Sequence, residues 1–255
     1  MTYCIIIPTY NNAATVYDVV CRALGVCGDV IVVNDGSTDN TLEVLQPLEG
    51  RVELISYPCN RGKGYALRRG LALARERGFD YAVTLDADGQ HRPEEVPMLI
   101  AAVPDGSADG RGDRVLVVGS RWRDAGVAEE LPAGMPRGNS FANRFSNFWF
   151  TVQTWRRLPD TQTGFRAYPL RHLPCLGVIT RRYESELELL VFSAWRGVRL
   201  VPVGVGVSYA SDRVSHFRPF WDFFRISVLN TVLCLLAVVY GYPRMVVEKM
   251  KGGGR

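Results

Sequence analysis

The first 90 residues alternate between continuous apolar runs and segments whose apolar residues recur at helical spacing. A run that is apolar at every position predicts a strand buried on both faces. Two such runs occur, at residues 3–7 and 30–33. Two further runs, at residues 52–57 and 81–85, are mostly apolar and are also predicted to be strands. Helical spacing between the runs predicts helices that begin near Val16, Thr41 and Tyr65. The alternation predicts an α/β fold, with a mostly parallel, Rossmann-like central sheet covered by helices on both faces.

After residue 90 the pattern is less regular, but further elements are visible. Apolar runs predict two more strands, at residues 115–118 and 202–209. Periodicity and helix-start chemistry predict three more helices, which begin near residues 93, 138 and 183. Stretches rich in Gly, Asp and Pro predict loops at residues 105–113 and 124–137, and the second loop is expected to lie over the site described below.

The predicted helix at 138–155 has two contrasting sides. One side carries Phe141, Phe145, Phe148, Val152 and Trp155. The other side carries asparagines four residues apart, at Asn139, Asn143 and Asn147. Two interpretations of the asparagine side stay open. It is either a solvated face, or a side on which Asn139 and Asn143 take part in acceptor binding or the active site.

The last apolar segment, at 220–240, bears on whether the protein is attached to a membrane. Polar residues interrupt it, and a membrane span needs about 20 clean apolar residues, so we expect it to fall short of one. An amphipathic helix at the membrane interface fits better, because the basic residues Arg244, Lys249 and Lys251 follow it. The alternative is a helix buried on its own domain or in an oligomer contact.

Composition restricts the function classes. The 255 residues are 47% hydrophobic and 22% charged, which is typical of a folded globular protein. The net charge of +4 is modest, and basic residues do not cluster with aromatic ones, so no nucleic-acid partner is expected. The six cysteines form no C-x-x-C pair and are expected to be reduced thiols. No signal peptide is visible, which favours the cytosol or its membrane face.

Four polar motifs stand where predicted strands end or the following helices begin. In chain order they are Pro8-Thr9-Tyr10, Asp35-Gly36-Ser37, Gly62-Lys63-Gly64 and Asp86-Ala87-Asp88. Ligands of parallel sheets bind at the carboxyl ends of the strands, so the motifs predict one shared site. The carboxylates of Asp86 and Asp88, two residues apart, can point the same way and bind one divalent cation, Mg²⁺ or Mn²⁺. Gln90 and His91 are candidates to complete or orient this site, although an Asp-rich turn is the simpler alternative.

These motifs also resemble a known family. Ile-Ile-Ile-Pro-Thr-Tyr-Asn at 5–11, Val-Asn-Asp-Gly-Ser-Thr-Asp at 33–39, Asn-Arg-Gly-Lys-Gly at 60–64 and Leu-Asp-Ala-Asp-Gly-Gln at 85–90 resemble the ordered signature of family 2 glycosyltransferases. The chain is most similar to the dolichyl- or polyprenyl-phosphate sugar transferases. The resemblance implies a GT-A fold, a GDP- or UDP-linked sugar as donor and a divalent metal.

The resemblance also implies roles for single residues. Pro8, Tyr10 and Asp35 are expected to hold the nucleoside, and Lys63 to reach the base or ribose. Asp86 is expected to face the ribose and the metal, next to backbone contacts from Ala87. Asp88 is then the principal metal ligand, with Gln90 beside it. Asn12 stands where these transferases often carry Glu, so its contact with the donor is the least secure.

In the second half of the chain the resemblance is scattered. Arg121 is expected near the donor phosphates, and Arg213 in a mobile loop that contacts donor or acceptor phosphate, with Ser215 and His216 as weaker candidates. Residues 160–167 are expected to form either an anion-binding element or a structural turn. Glu186 is the expected catalytic carboxylate. If the acceptor is a hydroxyl, the general base is Glu184, Glu186 or Asp160.

Together these inferences describe an inverting, metal-dependent enzyme that transfers sugar to a polyprenyl phosphate. We expect a GT-A domain at 1–212, a mobile loop and membrane-proximal helix at 213–251, and a disordered tail at 252–255. The enzyme is expected to lie on the cytoplasmic face of the membrane, and the sequence leaves homo-oligomers open. The alternatives are transfer to a hydroxyl of a glycolipid or cell-envelope glycan, and a non-catalytic module that binds nucleotide sugars.

Overall fold

The computed structural model describes residues 1–104, 114–122, 137–173, 180–208 and 219–252. Within this part, seven strands form one sheet in the order β3-β2-β1-β4-β6-β5-β7. The strands are β1 (Tyr3–Thr9), β2 (Val30–Asn34), β3 (Glu53–Ser56), β4 (Tyr81–Thr84), β5 (Val115–Ser120), β6 (Arg166–Pro169) and β7 (Arg199–Gly204). The main helices are α1 (Val16–Val26), α2 (Thr41–Leu45), α3 (Lys63–Glu76), α4 (Val96–Ala101), α5 (Arg137–Thr154), α6 (Glu184–Trp195), α7 (Pro219–Leu236) and α8 (Tyr242–Gly252).

Alternate residues of the central strands pack on opposite faces of the sheet. In β1, Cys4 and Ile6 belong to a core formed with α3, α5, α6 and α7. Ile5 and Ile7 belong to a second core formed with α1, α2 and α4. Every residue from Cys4 to Thr9 is buried, as the continuous apolar run predicted, because helices cover both faces. The predicted fold class is confirmed.

Strand β6 was not predicted as a strand. It consists of only four residues, Arg166–Pro169, and begins with a charged side chain, so it contains no apolar run. It nevertheless lies in the centre of the sheet, antiparallel to both β4 and β5. Strand β7 also differs from the prediction, since it starts at Arg199 and ends at Gly204 rather than spanning 202–209. The observed sheet is therefore mixed, with its single reversed strand next to β4.

The C-terminal helix is longer than the sequence suggested. Helices α7 and α8 are joined by a π-helical turn at Ala237–Gly241, and Gly252, which was expected in a disordered tail, belongs to α8. The helical segment Phe224–Met250 has 27 residues and contains an 18-residue stretch with a mean hydropathy of 1.8, so by length and composition it is long and apolar enough to cross a membrane. The expectation that it falls short of a span is therefore wrong. Asn230 does not break the helix, because it is buried against Gln153.

Several predictions concern residues outside the described ranges. The loop at 105–113, most of the loop at 124–137, the domain boundary at 212/213 and residues 253–255 belong to this group. Arg213, Ser215 and His216 also lie outside the described residues.

The π-helical turn packs closely on α6. Gly241 lies so close to the Trp195 indole that a Cβ atom at this position would overlap the ring. We therefore expect Gly241→Ala to lower the free energy of unfolding by about 1–3 kcal/mol, the usual cost of overpacking. Gly25→Ala is the matched control, since position 25 is an exposed helical glycine with no neighbouring atom within 4 Å. Urea denaturation of both variants measures the difference, and equal stabilities would contradict the close packing.

Candidate active site

Parallel strands bring the predicted motifs to one edge of the sheet. Thr9 at the end of β1 is in register with Asn34 at the end of β2, and Ile6 is in register with Thr84 at the end of β4. The motifs that follow these strands therefore leave the sheet at the same edge. Lys63 begins α3 after the loop that follows β3. The predicted grouping of the first four motifs at this edge is present in the structure.

Asp35 holds the loop that leads into α3. Its carboxylate is buried and accepts hydrogen bonds from the backbone N–H groups of Arg61 (2.8 Å) and Gly62 (2.7 Å). Burial raises the pKa of Asp35 more than these two hydrogen bonds lower it. Each oxygen keeps a second lone pair, so the expected contact with a nucleobase stays a prediction.

The other residues expected to bind the nucleoside lie near the ends of β1 and β4. Pro8 is buried within β1, and Tyr10 directly follows the strand and is half-buried. The Asn12 side chain donates from Nδ2 to the Tyr10 carbonyl oxygen (3.2 Å). The Ala87 carbonyl oxygen accepts a hydrogen bond from Thr15 Oγ1 (2.6 Å), which fixes the segment between Asp86 and Asp88. Their roles toward a nucleoside stay predictions.

Lys63 joins two carboxylates from distant parts of the chain. Its Nζ lies 2.6 Å from Asp86 Oδ1 and 3.2 Å from Glu186 Oε2. Burial favours the neutral form of the amine, but the two carboxylates outweigh it and raise the pKa of Lys63. Burial also raises the pKa of Asp86, but the charge and hydrogen bond of Lys63 outweigh it, so the net shift is downward. For Glu186 burial dominates, and its pKa is raised. We call this group the lysine bridge.

Gly164 allows the loop before β6 to approach Asp86. A Cβ atom at position 164 would lie 2.7 Å from Asp86 Oδ2, too close for a normal contact. The Gly164 carbonyl oxygen also accepts a hydrogen bond from Thr84 Oγ1 (2.6 Å) at the end of β4. This loop therefore packs directly on the Asp86 carboxylate, and only glycine fits there.

Asp88 is oriented by its own turn. Its Oδ1 accepts a hydrogen bond from the Gln90 backbone N–H (3.1 Å), and its Oδ2 accepts one from Gln90 Nε2. The side-chain amide of Gln90 thus donates to Asp88, and the expected contact of Gln90 with the metal stays a prediction. His91 is buried beside Phe165, with ring centroids 5.2 Å apart, and burial lowers its pKa, so the ring is neutral at pH 7.

The donor set fits a divalent metal whose coordination is shared with a substrate. In the described part of the chain, no group of three or more His, Cys, Asp or Glu side chains is arranged to hold an ion. Mg²⁺ typically takes one or two carboxylates and completes its shell with water and substrate phosphates. Asp86 and Asp88, half-buried at the sheet edge, match that requirement.

Arg121 is fixed by Asp160. Arg121 Nε donates to Asp160 Oδ2 (2.7 Å) and Nη2 donates to Oδ1 (2.9 Å), and the Arg121 backbone N–H also donates to Oδ2 (3.2 Å). The Gln162 backbone N–H donates to Oδ1 (3.1 Å). Asp160 is fully buried, and with two donors on each oxygen its acceptor capacity is filled. A carboxylate held in this way does not suit the role of general base.

The asparagine side of α5 faces the protein interior. Asn143 is buried, and both Asn143 and Asn147 donate from Nδ2 to the Pro159 carbonyl oxygen (3.0 and 2.7 Å). Asn147 Oδ1 also accepts a hydrogen bond from the Thr161 backbone N–H (3.1 Å). The solvated-face interpretation is therefore wrong for Asn143, and the side chain of Asn139 lies outside the described residues. Asn143 and Asn147 hold the loop that carries Asp160.

Arg166 is a site residue that the sequence did not single out. Its side chain is fully buried, and it donates from Nη1 to the Glu186 carbonyl oxygen (2.6 Å) and from Nη2 to the Thr161 carbonyl oxygen (2.9 Å). It therefore ties the loop that carries Asp160 to the helix turn that carries Glu186. The feature of the sequence that could have indicated its role is the position of a charged residue directly before apolar residues. Glu184 is also buried, at the start of α6.

Comparisons with known proteins agree with this geometry. The profile of the family described as glycosyl transferase family 2 matches residues 4–172. The chain is 31% identical over 203 residues to a polyprenol monophosphomannose synthase from Mycolicibacterium smegmatis, covering 76% of this chain and 71% of the relative. It is 29% identical over 226 residues to a UDP-N-acetylglucosamine–dolichyl-phosphate N-acetylglucosaminyltransferase from Methanococcus voltae, covering 80% and 85%.

The fold is also similar to solved structures. One is glucosyl-3-phosphoglycerate synthase from Mycobacterium tuberculosis in complex with Mn²⁺, UDP and glucosyl-3-phosphoglycerate. The TM-score is 0.62 at 20% identity, over 92% of this chain and 79% of the other. At this identity the likeness concerns the fold alone, and it confirms the predicted GT-A architecture.

Proposed function

Because the chain belongs to glycosyl transferase family 2 and is a glycosyltransferase, we propose that it transfers a sugar from a nucleoside diphosphate to a polyprenyl phosphate. The names of the M. smegmatis and M. voltae relatives both specify acceptors of this chemical class, although their sugars differ. The donor is a GDP- or UDP-linked sugar, and the metal is Mg²⁺ or Mn²⁺.

The state of the carboxylates near the site supports a phosphate acceptor over a hydroxyl acceptor. Two of the three candidates for a general base are already engaged, since Asp160 accepts four hydrogen bonds and Glu186 is bound to Lys63. The third, Glu184, is buried at the start of α6. A hydroxyl acceptor needs a base to remove its proton. A phosphate monoester is already ionised at neutral pH, so its oxygen attacks without one. This observation carries the choice of acceptor.

The proposed reaction is a single displacement at the anomeric carbon. An acceptor phosphate oxygen forms the new C–O bond, the bond to the donor diphosphate breaks, and the configuration inverts. When bound at Asp86 and Asp88, a divalent ion supplies positive charge for the leaving diphosphate. Arg121, whose orientation Asp160 fixes, is proposed to contact the same negative charge. Lys63 keeps Asp86 ionised, and Arg213 is proposed to contact phosphate from its loop.

The proposed location is the cytoplasmic face of the membrane, where the chain is peripheral. The C-terminal helix packs on the domain through Leu229, Leu233 and Ala237, which are buried. Only 28% of its apolar window is buried, so much of its surface faces outward. A helix that lies along its own domain with one side exposed suits attachment parallel to the membrane plane.

The test is transfer of radiolabelled sugar from GDP- and UDP-linked donors to a polyprenyl phosphate in the presence of Mn²⁺. We expect label in an organic-extractable product that mild acid releases, because a glycosyl phosphate is acid-labile. An acid-stable lipid product would instead identify a hydroxyl acceptor. If the folded protein binds a nucleotide sugar but transfers label to neither acceptor, the non-catalytic alternative holds.

A further inference from the structure

Residues 180–183 pack on the loop that Asp35 holds, and we call them the arginine segment. The Tyr65 backbone N–H donates a hydrogen bond to the Arg181 carbonyl oxygen (3.1 Å). A Cβ atom at Gly62 would overlap the same carbonyl oxygen. Gly62 also donates its backbone N–H to Asp35 Oδ2 (2.7 Å). The arginine segment therefore contacts the residue that binds the buried Asp35 carboxylate.

The arginine segment is also fixed to α6. Thr180 donates to Glu188 Oε2 from its backbone N–H (3.1 Å) and from Oγ1 (2.5 Å). Ser185 Oγ donates to the Thr180 carbonyl oxygen (2.8 Å). Gly64, in the first turn of α3, lies so close to Ser185 that a Cβ atom there would overlap its side chain. The backbone of the arginine segment is thus held between the start of α3 and the start of α6.

Arg182 brings a positive charge close to Asp35. Its Cγ atom lies 3.0 Å from the position that a Cβ atom would take at Gly62. Burial raises the pKa of the Asp35 carboxyl, and the charged side chains that lower it are Arg182 and, to a smaller extent, Arg61. The Arg61 guanidinium donates to Tyr65 Oη (2.9 Å). Arg182 is exposed, and within the described residues no hydrogen bond or ion pair engages its guanidinium.

Asp35 and Arg182 offer complementary hydrogen-bonding groups. A carboxylate accepts hydrogen bonds, whereas a guanidinium only donates them. Uracil and guanine present a ring N–H next to a carbonyl oxygen, O4 or O6, and we call them keto bases. Cytosine and adenine present a ring nitrogen acceptor next to an amino group, and we call them amino bases. A carboxylate beside a guanidinium therefore matches the keto bases and opposes like groups to the amino bases.

We propose that Arg182 determines nucleobase specificity, by donating a hydrogen bond to uracil O4 or guanine O6 while Asp35 accepts one from the adjacent ring N–H. The inference rests on the proposed nucleotide-sugar donor and names the part of the donor that Arg182 recognises. With an amino base the guanidinium faces another donor, so the arrangement also rejects the wrong base. Arg182 lies outside residues 4–172, which match the family profile.

The experiment compares Arg182→Met with Arg181→Met in the 255-residue chain. Isothermal titration calorimetry with UDP, GDP, CDP and ADP, each in the presence of Mn²⁺, measures nucleotide affinity. Arg181 is the matched control, because it is the exposed neighbouring arginine and contacts the loop through its backbone carbonyl oxygen. Both variants lose one positive charge, so the change in net charge is the same in both.

We expect Arg182→Met to bind the preferred keto-base nucleotide roughly tenfold more weakly, the usual loss for one hydrogen bond to a charged group. Its affinity for CDP and ADP should not fall, so its preference for the keto base over the amino bases should shrink by a similar factor. Arg181→Met should keep the preference of the unsubstituted protein. Arg182→Lys keeps a donor and should restore part of the preference.

Equal weakening of all four nucleotides in Arg182→Met would overturn the inference, because Arg182 would then supply only positive charge. A preference for keto bases that survives unchanged in Arg182→Met would overturn it as well. Melting temperatures without nucleotide check that each variant is folded. If the unsubstituted protein binds none of the four nucleotides, the proposed nucleotide-sugar donor is itself contradicted.

Discussion

Asp88→Asn should reduce sugar transfer by roughly 10²–10³-fold or more, a loss typical of removing one group that stabilises developing charge. Asparagine keeps the size of the side chain but removes the negative charge that a divalent ion requires. Gln90 can turn its amide so that its oxygen accepts from the new Asn side chain, so the turn after β4 should persist. Initial rates at saturating donor and increasing Mn²⁺ measure the effect.

The control for this variant is Asp29→Asn. Asp29 is exposed and precedes β2, so it lies at the opposite edge of the sheet from the site. Nucleoside diphosphate should raise the melting temperature of both proteins, but Mn²⁺ should increase that shift only where Asp88 is intact, because a ligand stabilises the state that binds it. Full activity of folded Asp88→Asn would contradict the assignment of Asp88 as a metal ligand.

The strands that form the site were predictable because their environment is simple. β1, β2 and β4 are buried on both faces, so nearly every position is apolar and the polar motifs after them stand out. β6 is equally buried but begins with Arg166, whose Nη1 and Nη2 donate to the backbone carbonyl oxygens of Glu186 and Thr161. A strand whose first side chain serves a hydrogen-bond network has no apolar run to reveal it.

The direction of α5 was not predictable for a related reason. Periodicity separates the two sides of a helix, but the side that is buried depends on its partners. Asn143 and Asn147 both donate to the Pro159 carbonyl oxygen, which offsets part of the cost of placing amides in the interior. The contact between Lys63 and Glu186 joins residues 123 positions apart. Motif spacing holds no information about such a pair, although both residues were named as candidates.

Substitutions in the pair formed by Arg121 and Asp160 should distinguish a role in stability from a role in sugar transfer. Asp160→Asn removes the negative charge and leaves Arg121, whose side chain is only 12% exposed, without its counter-ion. We expect a loss of about 3–5 kcal/mol in the free energy of unfolding, the usual cost of removing one partner of a buried ion pair. Sugar transfer should also fall, because Arg121 is no longer held in one orientation. Urea denaturation and initial rates measure the two effects.

The double variant Arg121→Met/Asp160→Asn decides what the pair is for. With both charges removed, no buried charge is left unpaired, so most of the lost stability should return, and the double-mutant cycle should give a favourable coupling energy. Transfer should not return with it, since the guanidinium proposed to face the leaving diphosphate is absent. Recovery of transfer together with stability would show that Arg121 serves only to neutralise Asp160. The negative charge of the donor diphosphate would then have to be stabilised by the metal, by Lys63 and by residues outside the described part of the chain.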